Sequence, residues 1–236
     1  GVGPDDFVVD LGSGDGRIVI AAAKKFGASG LGVDIDWRLV LQAEANARRA
    51  GVADRVKFVE QDLFLTDLGQ APVITTYLFP SYMLKLRTKR LALKPGTRIV
   101  SHDFDFGEWK PDRSVDVQTP EKYEISGSWS STVHLWTVPA PVEGAWTGSM
   151  DGGRGGPFRL ELKQRYQQVE GRLVREAQIM TLRDARLEGA RIHFSAPGPD
   201  GRLETYTGIV RDGMITGEAR AGGGPAMVRW SASRVK

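Results

Sequence analysis

The sequence contains no cysteine, which excludes disulfide bonds and thiolate metal sites. It has only three histidines among 236 residues, and no pair of histidines or carboxylates has the spacing of metal ligands, so we expect no metal. No apolar run approaches the roughly 20 residues that a helix needs to cross a bilayer. These absences exclude disulfide-rich folds and membrane-spanning helices, and they leave a globular chain held together by packing.

The remaining composition agrees with that class. Hydrophobic residues make up 41% of the chain and charged residues 26%, which is typical of soluble domains. The net charge of +3 is uneven, since residues 1–140 carry 17 basic and 18 acidic side chains, whereas residues 141–236 carry 15 and 11. No stretch interleaves aromatic with basic residues, so we expect no nucleic-acid partner. No targeting segment precedes Phe7, and we expect a cytoplasmic chain with a truncated N-terminus.

A glycine-rich loop near the N-terminus organises the chain. The apolar residues 7–11 are followed by the turn Gly12-Ser13-Gly14-Asp15-Gly16 and then by a helix-forming segment, which is the order of a nucleotide-binding unit. The spacing G-x-G-x-G differs from that of dinucleotide sites, and Asp10 and Asp15 would repel a pyrophosphate. S-adenosylmethionine carries an ammonium and a sulfonium but no phosphate, so we predict that residues 10–16 bind this cofactor. A structural turn without a ligand is the alternative.

Two further acids follow the next two predicted strands. Asp34 ends the strand at residues 31–34, where a carboxylate can accept hydrogen bonds from both ribose hydroxyls. Ile35 or Trp37 could pack on the adenine, and the alternative role of helix N-cap suits Asp36 better than Asp34. Asp62 follows the strand at residues 56–59 and could accept from the adenine amino group, with the Leu63 amide donating to the ring. The alternative for Asp62 is a solvated loop acid.

The order of apolar segments predicts the fold. Strands alternate with helices through residues 98–102, and residues 123–129 and 132–138 are predicted to form a terminal antiparallel hairpin. We therefore predict a doubly wound, mainly parallel seven-stranded sheet for residues 1–140. Beyond Pro139-Ala140-Pro141 glycine becomes frequent and short alternating segments replace helices. For residues 141–236 we predict about eight antiparallel strands in a small barrel or sandwich. It could hold an apolar ligand, dock a substrate or serve a structural role.

Three motifs carry a resemblance to a known family. Residues 11–23, the run Phe104-x-Phe106-x-x-Trp109-x-Pro111 and the run Val133-x-Leu135-Trp136 resemble class I S-adenosylmethionine-dependent methyltransferases, specifically the protein-lysine methyltransferases of the ATP synthase c-subunit and adenine nucleotide translocase. The resemblance spans residues 2–140 and lacks the family's segment before the first strand. It implies a Rossmann-like fold, S-adenosylhomocysteine as product, and cofactor contacts from Asp10, Gly12, Gly14, Gly16, Asp34 and Asp62.

The methyl acceptor is less sharply indicated. A protein-lysine amine must arrive neutral, and aromatic faces help to hold a cationic amine. We predict an aromatic acceptor wall of Tyr77, Phe79, Pro80, Phe104 and Trp109, although each could be ordinary packing. Asp103 and Glu108 are candidate proton acceptors, and His102 and His134 are expected to be structural. A small-molecule N- or O-methyltransferase, or a cofactor-binding protein with little catalysis, are the alternatives.

Overall fold

The computed structural model describes residues 1–153, 156–176, 178–198, 200–221 and 227–235, with the backbone alone for residues 89–91, 121, 125, 126, 153 and 221. The chain divides into two compact units, Gly1–Val138 and Pro139–Lys236. None of the described helices has both the length and the apolar composition that crossing a bilayer requires.

The first unit is a doubly wound α/β domain, which confirms the predicted fold class. Its sheet has the strand order β3-β2-β1-β4-β5-β7-β6, in which β1 to β5 are parallel and β7 runs antiparallel to both of its neighbours, β5 and β6. The strands and helices, in chain order, are β1 (Phe7–Leu11), α1 (Arg17–Phe26), β2 (Ser29–Asp34), α2 (Trp37–Ala50), β3 (Val56–Glu60), β4 (Val73–Thr76), α3 (Pro80–Leu91), β5 (Arg98–His102), β6 (Arg113–Gln118), α4 (Tyr123–Ser126) and β7 (Ser130–Thr137).

Local chemistry explains where the first two helices begin and end. Gly16 and Gly27 flank α1 in the left-handed region, at φ of 81° and 73°, a conformation that glycine adopts without steric cost. The Asp36 carboxylate accepts from the Arg38 amide and caps α2, as predicted, and Gly51 ends that helix. The apolar faces of both helices pack on the sheet. Because β1 to β5 are parallel, their carboxyl ends lie at one edge, and the strand order reverses there between β1 and β4.

The predicted terminal hairpin is wrong in its first arm. The strand that precedes β7 in the chain and pairs with it as a hairpin arm is β6, whereas residues 123–126, predicted as strand, form the short helix α4. Pro120 opens a 3₁₀ turn immediately before α4, and Gly127 closes it at φ 70°, so both ends carry helix signals that outweigh strand propensity. Every residue of β6 is exposed, and its sequence offers only Val115 and Val117 between polar residues, a weak strand signal.

The second unit is a closed antiparallel barrel. Its strands follow in sequence around the sheet and the pairing of β9 with β10 closes the ring. β11 and β12 are separated only by Leu182 and act as one bent strand, so the barrel has the predicted eight positions. The strands are β8 (Gly144–Met150), β9 (Phe158–Arg165), β10 (Gln168–Arg175), β11 (Gln178–Thr181), β12 (Arg183–Glu188), β13 (Arg191–Pro197), β14 (Leu203–Arg211), β15 (Met214–Ala221) and β16 (Met227–Arg234).

Large side chains fill the interior of the described part of the barrel. Trp146, Phe194, Tyr206 and Trp230 are buried in one hydrophobic cluster, with Phe194 and Tyr206 stacked at 4.7 Å between centroids. Such filling favours a structural or docking role over an interior site for an apolar ligand.

A close backbone approach makes Gly217 a sensitive position in this barrel. A Cβ there would lie 1.9 Å from the Thr207 carbonyl oxygen and 2.5 Å from the Gly208 Cα. We expect Gly217→Ala to lower the free energy of unfolding by about 1–3 kcal/mol through overpacking. Urea unfolding and faster hydrogen exchange in β14 and β15 would report the loss. The exposed neighbour variant Thr216→Ala is the control, and equal stability of the two variants would contradict the prediction.

Candidate active site

A cavity of about 860 Å³ lies at the edge of the first unit's sheet where the parallel strands end. Each of the five parallel strands contributes to its wall through the residues that follow the strand, which is where open α/β sheets bind ligands. The lining residues are Gly12, Val33, Asp34, Ile35, Gln61, Asp62, Leu63, Phe64, Tyr77, Leu78, Phe79, Tyr82, Asp103, Phe104 and Lys122.

The end of β2 shapes the glycine loop. The amides of Gly12 and Ser13 both donate to the Val33 carbonyl at 2.9 Å, and the Gly14 amide donates to Asp34 Oδ2 at 2.8 Å. Gly12 has φ 76°, and a Cβ there would lie 2.8 Å from Leu78 Cδ2. The absence of a side chain at Gly12 therefore leaves room in the cavity wall.

Asp34 joins the loop to the cavity. Its Oδ1 accepts from the Asp36 amide at 3.0 Å while Oδ2 accepts from Gly14. Each carboxylate oxygen can accept two hydrogen bonds, so the group can hold the loop and still accept from hydroxyls in the cavity. Ile35 lines the same cavity and is 72% exposed. Trp37, the other candidate for adenine packing, is the first residue of α2 and lies outside the described cavity wall.

Asp62 has two roles in the structure. Its Oδ1 accepts from the Phe64 amide at 2.8 Å and so caps the 3₁₀ turn Leu63–Leu65. Asp62, Leu63 and Phe64 all line the cavity. The turn thus presents a carboxylate beside two apolar side chains, an arrangement suited to the edge and the face of a purine ring.

Asp10 lies deeper than the sequence indicated. It is 1% exposed, it is absent from the cavity wall, and its Oδ1 accepts from the Thr75 hydroxyl at 2.6 Å. Burial raises the pKa of Asp10 to about 7, the Thr75 hydrogen bond opposes that rise, and the charge of Asp34 adds to it. The two acids are therefore coupled, although only Asp34 reaches the cavity.

The remaining loop residues also lie outside the described cavity wall. Ser13 is buried, and its Oγ has no hydrogen-bond partner among the described atoms. Asp15 forms a two-point ion pair with Arg17 at 2.9 and 2.8 Å, and the Arg17 hydrogen bond lowers the pKa of Asp15. Gly16 precedes α1, and a Cβ there would lie 2.6 Å from Phe58 Cζ. These residues shape the turn.

The predicted aromatic wall divides into two groups. Tyr77, Phe79 and Phe104 line the cavity, and Phe79 is 72% exposed. Pro80 is the exposed first residue of α3 and lies outside the described wall. The prediction that Trp109 belongs to the wall is wrong, because Trp109 is fully buried and its carbonyl accepts from Trp136 Nε1 at 2.9 Å.

Packing explains this correction. The Trp109 ring stacks against Phe106 at 5.5 Å between centroids, within a buried cluster that also includes Trp136. Glu108, on the same loop, is exposed and outside the described wall. His134 bonds to Ser114 through Nδ1 at 2.8 Å, as expected of a structural residue.

An ion pair between Asp103 and Lys122 forms part of the cavity wall. Lys122 Nζ donates to Asp103 Oδ2 and, at 2.9 Å, to Ser131 Oγ. Burial raises the pKa of Asp103, but the hydrogen bonds from Lys122 and Thr132 outweigh it, and the net pKa lies below the usual range. His102 Nδ1 lies 3.3 Å from Asp103 Oδ2 without hydrogen-bond geometry, and burial lowers the pKa of His102.

Several residues of the cavity wall were not predicted from the sequence. Leu78 and Gln61 adjoin predicted residues and could have been found by extending each strand exit by one position. Tyr82 lies on the first turn of α3, in contact with Phe64 at 5.9 Å between ring centroids. No sequence pattern pointed to Lys122 as a lining residue. It directly precedes Tyr123, where the sequence predicts a strand and the structure has α4. The other unpredicted lining residues are Val33 and Phe64.

The cavity fits S-adenosylmethionine. Its size lies in the range of small-molecule sites, its walls are largely apolar, and three carboxylates line it against one described basic side chain, Lys122. A cavity lined by carboxylates attracts a cationic adenosine derivative and repels a phosphate. Among the described residues, no group of three or more histidines and acids could hold a metal ion.

Comparisons with known proteins agree with this geometry. The family model of the ANTKMT methyltransferase domain matches residues 10–113. A protein-lysine N-methyltransferase from Saccharolobus islandicus (strain REY15A) is 38% identical over 140 residues, which cover 58% of this chain and 82% of that protein. The adenine nucleotide translocase lysine N-methyltransferase of Mus musculus is 36% identical over 135 residues, which cover 56% of this chain and 58% of that protein.

A solved structure agrees as well. The crystal structure of an RNA methyltransferase from Salinibacter ruber in complex with S-adenosyl-L-homocysteine is 48% identical, with a TM-score of 0.54. The match covers 60% of this chain and 86% of that one. The similarity therefore reaches beyond the glycine loop to most of a methyltransferase chain.

Proposed function

Because the chain belongs to the ANTKMT-type family of class I S-adenosylmethionine-dependent methyltransferases, we propose that it methylates lysine side chains of a protein. The predicted family, enzyme class and cofactor are confirmed by the family match and by the methyltransferase structure with S-adenosylhomocysteine. The lysine acceptor is our proposal, and it is supported by the relatives named as lysine methyltransferases.

The observation that carries the proposal is the division of one cavity into two chemical ends. Asp34, Asp62 and Leu63 form an end suited to adenosine, and Tyr77, Phe79 and Phe104 form an aromatic end beside the Asp103 carboxylate. A carboxylate attracts an alkylammonium, and aromatic faces favour a cation and its methylated products. A lysine side chain satisfies both requirements.

The residues have separable tasks in this reaction. When bound, S-adenosylmethionine supplies a methyl group already activated by its positive sulfur, so the protein mainly has to align donor and acceptor. We propose that Asp34 accepts from the ribose hydroxyls and that the glycine loop leaves room for the cofactor's methionine part. Tyr77 and Phe79 shield the reacting atoms from water. Asp103 binds the acceptor lysine as its ammonium ion, and the proton then passes to bulk solvent, so that the neutral amine forms the new N–C bond as the S–C bond of the cofactor breaks.

Labelling distinguishes the classes of acceptor. The full chain is incubated with methyl-labelled S-adenosylmethionine and, separately, with a protein fraction, an RNA fraction and a small-molecule fraction of a cell lysate. We expect label in protein, released as methyl-lysine on acid hydrolysis, and much less label with Asp34→Ala when the cofactor is subsaturating. Label confined to RNA or to small molecules would overturn the proposal and assign the acceptor to that class.

Phe79 offers a test of the aromatic end. We expect Phe79→Ala to lower kcat/KM for the protein acceptor by about 5- to 30-fold, because a desolvated ring contact with a cation is lost. Phe26→Ala is the matched control, since Phe26 is also exposed, at 52%, but closes α1 outside the described cavity wall. Steady-state kinetics measures the effect on the protein acceptor, and calorimetric titration measures the affinity for the cofactor, so the two together show which end of the cavity the substitution affects. Equal kinetics of the two variants would remove Phe79 from the acceptor site.

A further inference from the structure

The cavity contains a lysine of the chain itself. Lys122 is the only basic side chain among the described residues of the cavity wall, and its ammonium bonds to the Asp103 carboxylate and the Ser131 hydroxyl. The side chains of Lys122 and Asp103 are 19% and 18% exposed. The Lys122 ammonium is thus already bound to the Asp103 carboxylate. This carboxylate lies at the end of the cavity where we propose that the acceptor lysine binds.

Asp103 is held in place by β7 as well as by Lys122. Its amide donates to the Thr132 carbonyl at 2.7 Å, and its Oδ1 accepts from the Thr132 amide at 3.0 Å. Its φ of 63° is in the left-handed region, which aspartate adopts more readily than most residues. Because Thr132 holds Oδ1 and Lys122 holds Oδ2, removal of Lys122 would leave the carboxylate positioned and take the ammonium from Oδ2. His102 Nδ1 lies 3.3 Å from that oxygen but without hydrogen-bond geometry.

We propose that Asp103 is the binding residue for the acceptor lysine and that Lys122 is its built-in competitor, displaced from Asp103 when a substrate lysine enters. The inference rests on the proposed function, since it needs a lysine acceptor. It assigns opposite effects to the two members of one ion pair. Loss of Asp103 removes the acceptor's partner, and loss of Lys122 removes the acceptor's rival.

Amine binding tests this without turnover. The full chain, saturated with S-adenosylhomocysteine, is titrated with n-butylammonium, the analogue of a lysine side chain, and followed by NMR. We expect Lys122→Met to bind it at least about fivefold more tightly and Asp103→Asn at least about fivefold more weakly, as expected for a charged hydrogen bond gained or lost. In the double variant the gain from Lys122→Met disappears. The affinity for S-adenosylhomocysteine stays within about twofold in all variants, because cofactor contacts lie at the other end.

Controls separate a competitor from a structural ion pair. Lys110→Met removes another lysine of the same region, which lies 3.6 Å from Asp105 at the surface, and it should leave n-butylammonium binding unchanged. Lys122→Gln repeats the test with a polar side chain should Lys122→Met fold poorly. Weaker amine binding in both Lys122 variants would show that the pair supports the site, and weaker cofactor binding would show that Lys122 serves the cofactor's carboxylate. Either result overturns the inference.

Turnover separates this inference from the proposed function. With poly-L-lysine as acceptor, Lys122→Met should lower KM and Asp103→Asn should lower kcat/KM. If the wild-type chain labels no lysine in any protein, the proposed function fails. If it labels lysine but both variants weaken amine binding, only the role of Lys122 fails, and if both tighten it, the role of Asp103 fails.

Discussion

Replacing Asp34 with alanine is expected to weaken S-adenosylmethionine binding by about 10- to 100-fold, the loss expected when charged hydrogen bonds are removed. Asp34 lines the cavity, and its two carboxylate oxygens accept from the amides of Gly14 and Asp36. The substitution removes an acceptor for the ribose and also releases the glycine loop from β2. Calorimetric titration with S-adenosylmethionine measures the change directly.

Asp36→Ala is the matched control for this experiment. Asp36 lies two residues away, caps α2 and pairs with Arg38 at 2.8 Å on the surface, outside the described cavity wall. We expect that variant to be slightly less stable and to bind the cofactor within about twofold of wild type. Asp34→Asn should fall between, since it keeps one acceptor oxygen. A folded Asp34→Ala chain with unchanged affinity would exclude Asp34 from the site.

The sequence predicted the sheet and several of the residues that line the cavity near Asp34, because both depend on local signals. Glycines that require left-handed angles, acids directly after apolar strands and a capping aspartate are each readable within a few residues. Asp34 and Asp36 show how far such reading goes. The sequence pattern predicts that Asp34 binds the ligand and that Asp36 caps the helix. In the structure Asp36 caps α2 and Asp34 lines the cavity.

The proposed acceptor end of the cavity was harder to predict, because its residues come together only in the tertiary structure. Phe104 and Trp109 lie on the same aromatic loop, yet one lines the cavity and the other is buried against Phe106. Nothing in their local sequence distinguishes them, since a core and a binding wall use the same residue types. Lys122 reaches the cavity from a 3₁₀ turn before α4, whereas the sequence pattern predicts a strand for residues 123–129.

Asp10→Asn is expected to raise the free energy of unfolding of the cofactor-free chain by as much as about 4 kcal/mol at pH 8 and to have little effect at pH 4. The upper limit follows from a pKa difference of about three units between the folded and unfolded chain, at about 1.36 kcal/mol for each unit. The pKa of Asp10 is about 7 in the folded chain against an ordinary value of 3.8. Below pH 4 both states keep the proton, so no penalty exists. Between pH 4 and 7 the unfolded chain releases the proton and the folded chain retains it, so stability falls as pH rises. Above pH 7 the buried charge persists and the penalty is constant.

Urea unfolding of wild type and Asp10→Asn at several pH values tests this, because the difference between the two chains cancels the other titrating groups. The asparagine oxygen can still accept from the Thr75 hydroxyl, and any unpaired amide hydrogen reduces the gain. Thr75→Val provides the opposite change. It removes a hydrogen bond that stabilises the Asp10 carboxylate, so the penalty at pH 8 should grow. A stability difference between wild type and Asp10→Asn that stays constant from pH 4 to pH 8 would show that Asp10 is ionised in the folded chain throughout. The carboxylate would then stand charged beside Asp34 even before a cationic cofactor arrives.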